Sequence, residues 1–411
     1  MTDQPLAGRT VIDLTTALSG PYATLLLAGL GATVIKVEKP EGGDVARTNS
    51  PYYGPGGLAL DRTHADDMSL SMLVRGRGKL SVTLNLKQAR ARSVFADLVR
   101  DADVVVENYS PGVTQRLGID YAAVREINPR IVYTSISGFG AQGGPGSGKA
   151  MDSIVQALSG VMMTAGEPGE GPVRFGLPIG DLLAPLFAVV GTVSALLQAE
   201  QTGEGQHVDV SMLGALTSLM ACEPFDALEA VGLPQRTGSM VPRLAPFGIL
   251  EAADGHLALC APTDTFAAGV FRAIDRPDLA EDDRFRQRDA RVRNADDLHA
   301  LIGDWCRDRS VEEIVAAFTA EGVPAAPVRE PAEAVRDPLV QQREEVVPLV
   351  HPRLGAITDI VATGVPIRFS AARATLDRPA PGLGEHNDHV YRELLGYSPE
   401  ELAELAEQAV I

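Results

Sequence analysis

Short apolar runs separated by helix-length stretches limit what the first 140 residues can become. Thr10-Val11-Ile12-Asp13-Leu14 reads as a buried strand, and Gly20-Pro21 then opens an apolar helix that runs to about Leu30. Gly31 closes that helix, and Ala32-Thr33-Val34-Ile35-Lys36-Val37 is a second buried strand. Strands apolar throughout their length belong in a sheet covered on both faces, so this βαβ unit predicts the start of a doubly wound parallel sheet. Residues 40–70, rich in Gly, Pro, Asp and Ser, read as a long irregular loop, and such loops in compact domains are often functional. Leu80 to Leu86 alternates as a half-buried strand, and Ala91, Val94, Phe95, Leu98 and Val99 share one helical face. Val104-Val105-Val106 and Ile131-Val132-Tyr133 continue the rhythm of an open α/β sheet.

Helical stretches near 152–164 and 182–200 follow, and Thr202-Gly203-Glu204-Gly205 turns into a strand at His207–Val210. Beyond about residue 230 the pattern changes: two apolar runs flank Asp254-Gly255, a hairpin signal, and charged helices extend to about residue 322. The expected organisation is a large α/β domain over 1–225, a smaller α+β domain over 226–335, and a return to the large domain over 336–411. That last stretch carries a strand at Ile357–Val361 and an amphipathic helix at Pro399–Ala409.

Leu182 to Ala199 lacks charge and nearly has the length of a membrane span. Pro185, Gly191, Thr192, Ser194 and Gln198 dilute it, so a core helix buried on most faces is the better reading. The N-terminal residues lack the charged and apolar regions of a signal peptide. Cys222, Cys260 and Cys306 form no zinc or disulfide pattern, and the histidines have no metal-ligand spacing. These features point to a cytoplasmic protein without a metal. A formal charge of −18 argues against nucleic-acid binding through the overall field.

Two glycine-rich stretches imitate nucleotide motifs. Gly143 to Lys149 fits G-x-x-x-x-G-K, but Ala150 follows where Ser or Thr must hold Mg²⁺. Gly29-Leu30-Gly31 lies between helix and strand, the reverse of a dinucleotide fingerprint. The cations carry more information. Arg75-Gly76-Arg77-Gly78-Lys79 sits just before a strand, Lys36 and Lys39 lie at another strand's end, and Arg116 and Lys149 come later. Cations near the strand ends of an open α/β sheet suit phosphate groups, although each alone can equally be a solvated surface charge. Asp181 ends the turn Gly176-Leu177-Pro178-Ile179-Gly180 directly before the apolar stretch. The ordinary reason for such placement is an N-cap on a helix starting at Leu182. A capping carboxylate also sits in the positive field of the helix, which keeps it ionised and nucleophilic.

Several stretches, in order along nearly the whole chain, resemble class III CoA-transferases of the CaiB/BaiF type. This family includes formyl-CoA transferase, carnitine CoA-transferase and α-methylacyl-CoA racemase. The stretches include VIDLTTALSGPYATLLLAGLGATVIKVEKPEGGD, RGKLSVTLNLK, DADVVVENYSPGVTQRLGIDY, PVRFGLPIGDL, TGEGQHVDVSM and LGEHND. The resemblance implies a Rossmann-like large domain, a smaller α+β domain and an interlocked homodimer, with acyl-CoA and a carboxylic acid as substrates and no permanent cofactor. It implies that Asp181 is the catalytic nucleophile and that Ala17, Lys39, Asn108, Tyr109, Arg116, Lys149 and Met212 line the CoA site. Arg75, from the cation cluster, joins that set.

Racemases of the family carry a histidine–aspartate pair where this chain has Met151-Asp152. Methionine cannot exchange an α-proton, so transfer is favoured over racemisation. Formyl-CoA transferases carry a glycine run where Val241 to Gly248 has one glycine, which argues against that particular activity. The rival readings are an acyl-CoA racemase or epimerase, recognised by α-proton exchange without an acceptor acid, and an acyl-CoA-binding protein without transfer activity.

Overall fold

The structure is a computed structural model that describes residues 4–144, 150–241 and 243–411. It divides into two compact units. The larger comprises the chain up to Ser159, Gly176–Leu219 and Val335–Ile411, and the smaller comprises Gly160–Phe175 and Met220–Ala334.

The larger unit is built on six parallel strands: β1 (Thr10–Asp13), β2 (Thr33–Glu38), β3 (Lys79–Thr83), β4 (Val104–Glu107), β5 (Val132–Ser137) and β6 (His207–Ser211). Their spatial order is β3-β2-β1-β4-β5-β6, the doubly wound arrangement. Side-chain alternation explains why the central strands β1, β2 and β4 are largely apolar. Ile12, Ile35 and Val105 enter one core with Phe95 and Leu98, while Val11, Val34, Val104 and Val106 enter the opposite core with Leu27 and Leu196.

β3 is an edge strand, and the LGEHND segment covers it. Thr83 N–H donates to Asn387 Oδ1 at 2.8 Å, Ser81 N–H to His386 Nδ1 at 3.2 Å, and His386 N–H to the Ser81 carbonyl at 2.9 Å. Tyr391, fully buried, donates its hydroxyl to the Thr83 carbonyl at 2.8 Å. The C-terminal segment thus satisfies the ladder groups that an edge would leave open.

Residues 40–70 are more ordered than a loop reading expects. A 3₁₀ turn at Val45–Thr48 precedes a small antiparallel sheet of Tyr52–Gly54, Gly57–Ala59 and Met68–Ser69. Strands of two or three residues are too short for side-chain alternation to register in the sequence.

The long apolar helix spans Ile179–Thr202. Ala184, Ala188, Thr192, Ala195, Leu196 and Ala199 form its buried stripe. Contrary to the expectation of burial on most faces, Leu186, Phe187, Val190 and Leu197 are 44%, 42%, 64% and 57% exposed. By length and composition the helix can cross a membrane, but its stripe of small residues is packed within the unit.

The smaller unit has an antiparallel sheet of β7 (Phe247–Ala252), β8 (Gly255–Cys260) and β9 (Ala325–Pro327), with the hairpin turn at Ala253-Asp254. Phe271, Leu298, Ile302, Ile314 and Phe318 from its helices pack with Leu257 and Leu259 of the sheet.

Candidate active site

Strand order 3-2-1-4-5-6 opens a crevice between β1 and β4 at their C-terminal ends, where the connections diverge to opposite sides of the sheet. The loop leaving β1 enters this crevice and is clamped by four side chains. The Asn108 amide, just past β4, accepts from Thr16 N–H at 2.8 Å and donates to the Thr16 carbonyl at 2.9 Å. Asp44 accepts from Ala17 N–H at 2.9 Å, Arg75 donates to the Ala17 carbonyl at 3.2 Å, and Lys36 donates to the Thr15 carbonyl at 2.8 Å. Ala17 adopts φ +66°, a left-handed conformation that an L-residue holds only when its surroundings require it. Asn108 therefore spends its amide on shaping the loop.

A buried charge network lies under the loop. Asp13, fully buried, meets Lys79 Nζ at 3.0 Å and accepts from Thr24 and Thr15 hydroxyls. Burial pushes its carboxyl up, but Lys36 and Lys79 outweigh that and hold it near the bottom of the carboxylate range, at about 2. Lys36 forms a second buried pair with Asp44 at 2.9 Å. Glu38 takes Arg47 through two nitrogens, both at 2.7 Å. Buried pairs of this kind contribute little net stability, but removing one partner is costly.

Beside the loop is a cavity of about 380 Å³. Thr15, Thr16, Lys39, Lys87, Tyr109 and Arg116 are among its lining residues. Lys39 and Arg116 are exposed and make no ion pair among the described residues, so their charges are available to an anion. Tyr109 is half-buried, and burial raises its phenol to about 12, so at neutral pH it keeps its proton and is able to donate.

Asp181 differs from the cap expected of it. The helix begins at Ile179, its N-cap is Pro178 without a side-chain bond, and Asp181 lies in the first turn. The start at Ile179 is hidden in the local pattern, because Gly176-Leu177-Pro178 precedes it and Gly180 lies in the first turn in place of a helix former. The field of the helix does not dominate either. Burial, then the charge of Asp152, raise the Asp181 carboxyl to about 6, against a lowering by Arg75. Among the described residues no side chain or N–H donates to it, so both oxygens stay open to an incoming group.

Asp152 is a residue whose position the sequence did not reveal. It sits buried at the start of the Asp152–Ser159 helix, accepting from Gly180 N–H at 2.9 Å and from Gln156 Nε2 at 2.7 Å. It thereby fixes the turn that carries Asp181 while raising that carboxyl electrostatically. Gly180 permits the approach: a Cβ there would meet Val155 Cγ2 at 2.8 Å and Asp152 Oδ1 at 3.3 Å. Asp44 was also not singled out, since a lone acid after Gly42-Gly43 resembles any loop charge.

Direct bonds connect Ala17, Arg75 and Asn108 through the β1 loop, and the shared cavity brings in Lys39, Tyr109 and Arg116. The charge of Arg75 acts on Asp181, and its Nε is buried without a partner among the described residues. Met212 is 5% exposed in a core cluster with Ile136, Val155 and Ala184, and is not among the residues lining that cavity. Lys149 lies outside the described residues, as does most of the Gly143–Lys149 stretch.

Comparison with known proteins decides the family. The chain matches CoA-transferase family III over residues 6–387. It belongs to that family. It is 36% identical to the acetyl-CoA:oxalate CoA-transferase of Acetobacter aceti over 392 residues, 95% of each chain. It is 35% identical to the succinyl-CoA:mesaconate CoA-transferase of Haloarcula marismortui, over 93% of this chain and 94% of that one. A crystal structure of a CAIB/BAIF family protein from Brucella suis superposes with a TM-score of 0.80 at 31% identity, covering 96% of this chain and 100% of that one. The chain is therefore a CoA-transferase family III enzyme with a mixed α/β fold and a large parallel sheet, acting in CoA transfer.

Proposed function

We propose that this enzyme transfers CoA from an acyl-CoA donor to a carboxylic acid acceptor through covalent intermediates on Asp181. The observation that carries this reading is a half-buried carboxylate without a donor, in the first turn of a helix and within the field of Arg75. The cation-lined cavity at the strand ends supports a phosphate-rich partner such as CoA, with Lys39, Arg116 and Tyr109 as its contacts, while Arg75 holds the Ala17 carbonyl of the adjoining loop. Asn108 and Ala17 shape the loop beneath it. Lys149 and Met212 complete the expected site by resemblance alone.

In this mechanism an Asp181 oxygen attacks the thioester carbon, the C–S bond breaks, and a mixed anhydride and CoA thiolate form. The thiolate then attacks the Asp181 carbonyl, releases the donor acid and leaves an aspartyl-CoA thioester. The acceptor carboxylate displaces the thiolate to form its own anhydride with Asp181, and the thiolate then attacks the acceptor carbonyl, breaking its C–O bond to Asp181 and releasing the new thioester and the free Asp181 carboxylate. One thioester replaces another, so no nucleotide is consumed. A carboxyl near pH 6 is mostly ionised at neutral pH yet more basic than a solvated aspartate, which suits a nucleophile.

Trapping tests this directly. Incubation with acyl-CoA followed by hydroxylamine is expected to modify Asp181, read by mass spectrometry; full turnover with unmodified Asp181 would exclude the intermediate. No exchange of the α-proton with solvent deuterium is expected, which separates transfer from racemisation. Arg116→Ala is expected to raise KM for acyl-CoA about tenfold, with a smaller change in kcat, because it removes a phosphate-ready cation.

The raised Asp181 carboxyl sets a pH profile. Activity requires the ionised form, so kcat/KM rises with pH through about 6. Asp152→Asn keeps an oxygen for Gly180 N–H but removes a like charge, so its acid limb moves to lower pH. An unmoved limb would mean that Asp181 does not feel Asp152.

We also propose that the enzyme works as an interlocked homodimer in the cytoplasm. The exposed Leu186, Phe187, Val190 and Leu197 on one helix support a second copy as the covering surface. Analytical ultracentrifugation is expected to return twice the chain mass.

A further inference from the structure

The Arg75-Gly76-Arg77-Gly78-Lys79 run supplies three cations, and the site described above accounts for two: Arg75 holds the Ala17 carbonyl and Lys79 pairs with Asp13. Arg77 has a different environment. It is 5% exposed, its Nε donates to the Val74 carbonyl at 3.0 Å, and one terminal nitrogen donates to the Thr363 carbonyl. Among the described residues no carboxylate pairs with it, and burial alone lowers its guanidinium to about 10. A buried cation held only by carbonyls is costly, and a structure keeps one where something else is gained.

Arg77 lines a pocket of about 260 Å³ between the strand Val346–His351, residues Gly364 and Val365, and the segment 373–379. Arg373 and Arg378 line the same pocket and are exposed, as are the acids Glu344 and Asp377. Asp377 already accepts from the Thr375 hydroxyl at 2.5 Å. Three cations against two acids leave the lining positive, and the one buried charge is a cation. The walls are braced: Gly78 N–H donates to the Arg378 carbonyl at 2.9 Å, and Thr375 N–H to the Gly29 carbonyl at 2.9 Å. At about 30 Å³ per water the volume holds roughly nine water molecules, room for a small organic acid or phosphate together with waters around it.

We propose that this pocket is a binding site for a small polyvalent oxyanion, a short dicarboxylate or a phosphate, held by Arg77 at its floor and by Arg373 and Arg378 at its rim. Guanidinium groups match the planar geometry of both anions through paired N–H donors. The proposal does not depend on the role of Asp181, and the residues of the strand-end cavity take no part in it.

Calorimetric titration of the full chain with inorganic phosphate and, separately, with succinate tests it at constant ionic strength. At least one of the two is expected to bind with a dissociation constant of about 1 mM or tighter. The rim variant Arg373→Gln/Arg378→Gln, at two exposed positions, is expected to weaken that binding about tenfold or more while leaving KM for acyl-CoA unchanged. Lys39→Ala/Arg116→Ala is expected to retain it, which separates this pocket from the strand-end cavity. Absence of binding by both anions to the wild-type chain, or equal affinity in the rim variant, would overturn the proposal. Because Arg77→Met alters a buried side chain and can unfold the unit, the rim pair carries the test.

Discussion

Asp181→Ala is expected to lower kcat for CoA transfer by about 10⁴-fold or more, the scale on which removal of a covalent nucleophile acts. The same substitution is expected to leave CoA affinity within a few-fold, because the proposed phosphate contacts lie on Lys39 and Arg116. The fold should also persist. Asp181 caps nothing, donates to nothing and accepts from nothing among the described residues, so its loss removes no structural bond. Burial raises its carboxyl, which means that the folded chain works against its charge. By linkage that cost is absent below about pH 4, where folded and unfolded carboxyls are both protonated, and complete above about pH 6. Unfolding midpoints at pH 8 should therefore be equal to or higher than wild type in Asp181→Ala. A variant that loses activity and melts early would point to a structural role, and one that keeps activity would remove Asp181 from the chemistry.

Asp13→Ala is expected to destabilise the larger unit by about 3–5 kcal/mol, the cost of leaving a buried charge without its partner. Lys79 is fully buried, and Asp13 is the carboxylate it meets at 3.0 Å. The Asp13 carboxylate also accepts from Thr15 N–H at 2.9 Å and Thr24 Oγ1 at 2.7 Å. Its loss therefore loosens the start of the loop that Asn108, Asp44 and Arg75 clamp. Urea unfolding monitored by far-UV circular dichroism measures the stability term, and a raised KM for acyl-CoA is expected to accompany it. The double variant Asp13→Ala/Lys79→Met removes both charges together and is expected to recover much of the loss. A single variant within about 1 kcal/mol of wild type would show that water or a neighbouring group already compensates Lys79.

Some of the candidate site was legible in the sequence for a plain reason. Lys39 and Arg116 stand out as cations near strand ends, and strand ends follow from apolar runs bounded by polar residues. Both line the cavity. Asn108 and Ala17 entered only through resemblance, since their work is done by an amide and a backbone conformation that composition cannot report. Asp152 was read only as half of an absent proton-exchange pair. Its contact to Gly180 spans 28 positions, and no local periodicity encodes a contact of that kind. Met212 entered only through resemblance, as a residue lining the CoA site; in the structure it follows β6 and its side chain packs in a core cluster.

The helix of Asp181 shows the boundary most clearly. An uncharged run from Leu182 implies a helix, yet its start at Ile179 depends on Asp152 holding Gly180 N–H. Chain order and the apolar runs alone pointed to the parallel sheet, because a strand apolar on both faces needs cover on both and helix-length connections supply it. Tertiary structure alone decided the electrostatics of the site. The carboxyl of Asp181 is raised by burial and by an acid from another helix, against the pull of Arg75, and those three influences meet only once the chain is folded.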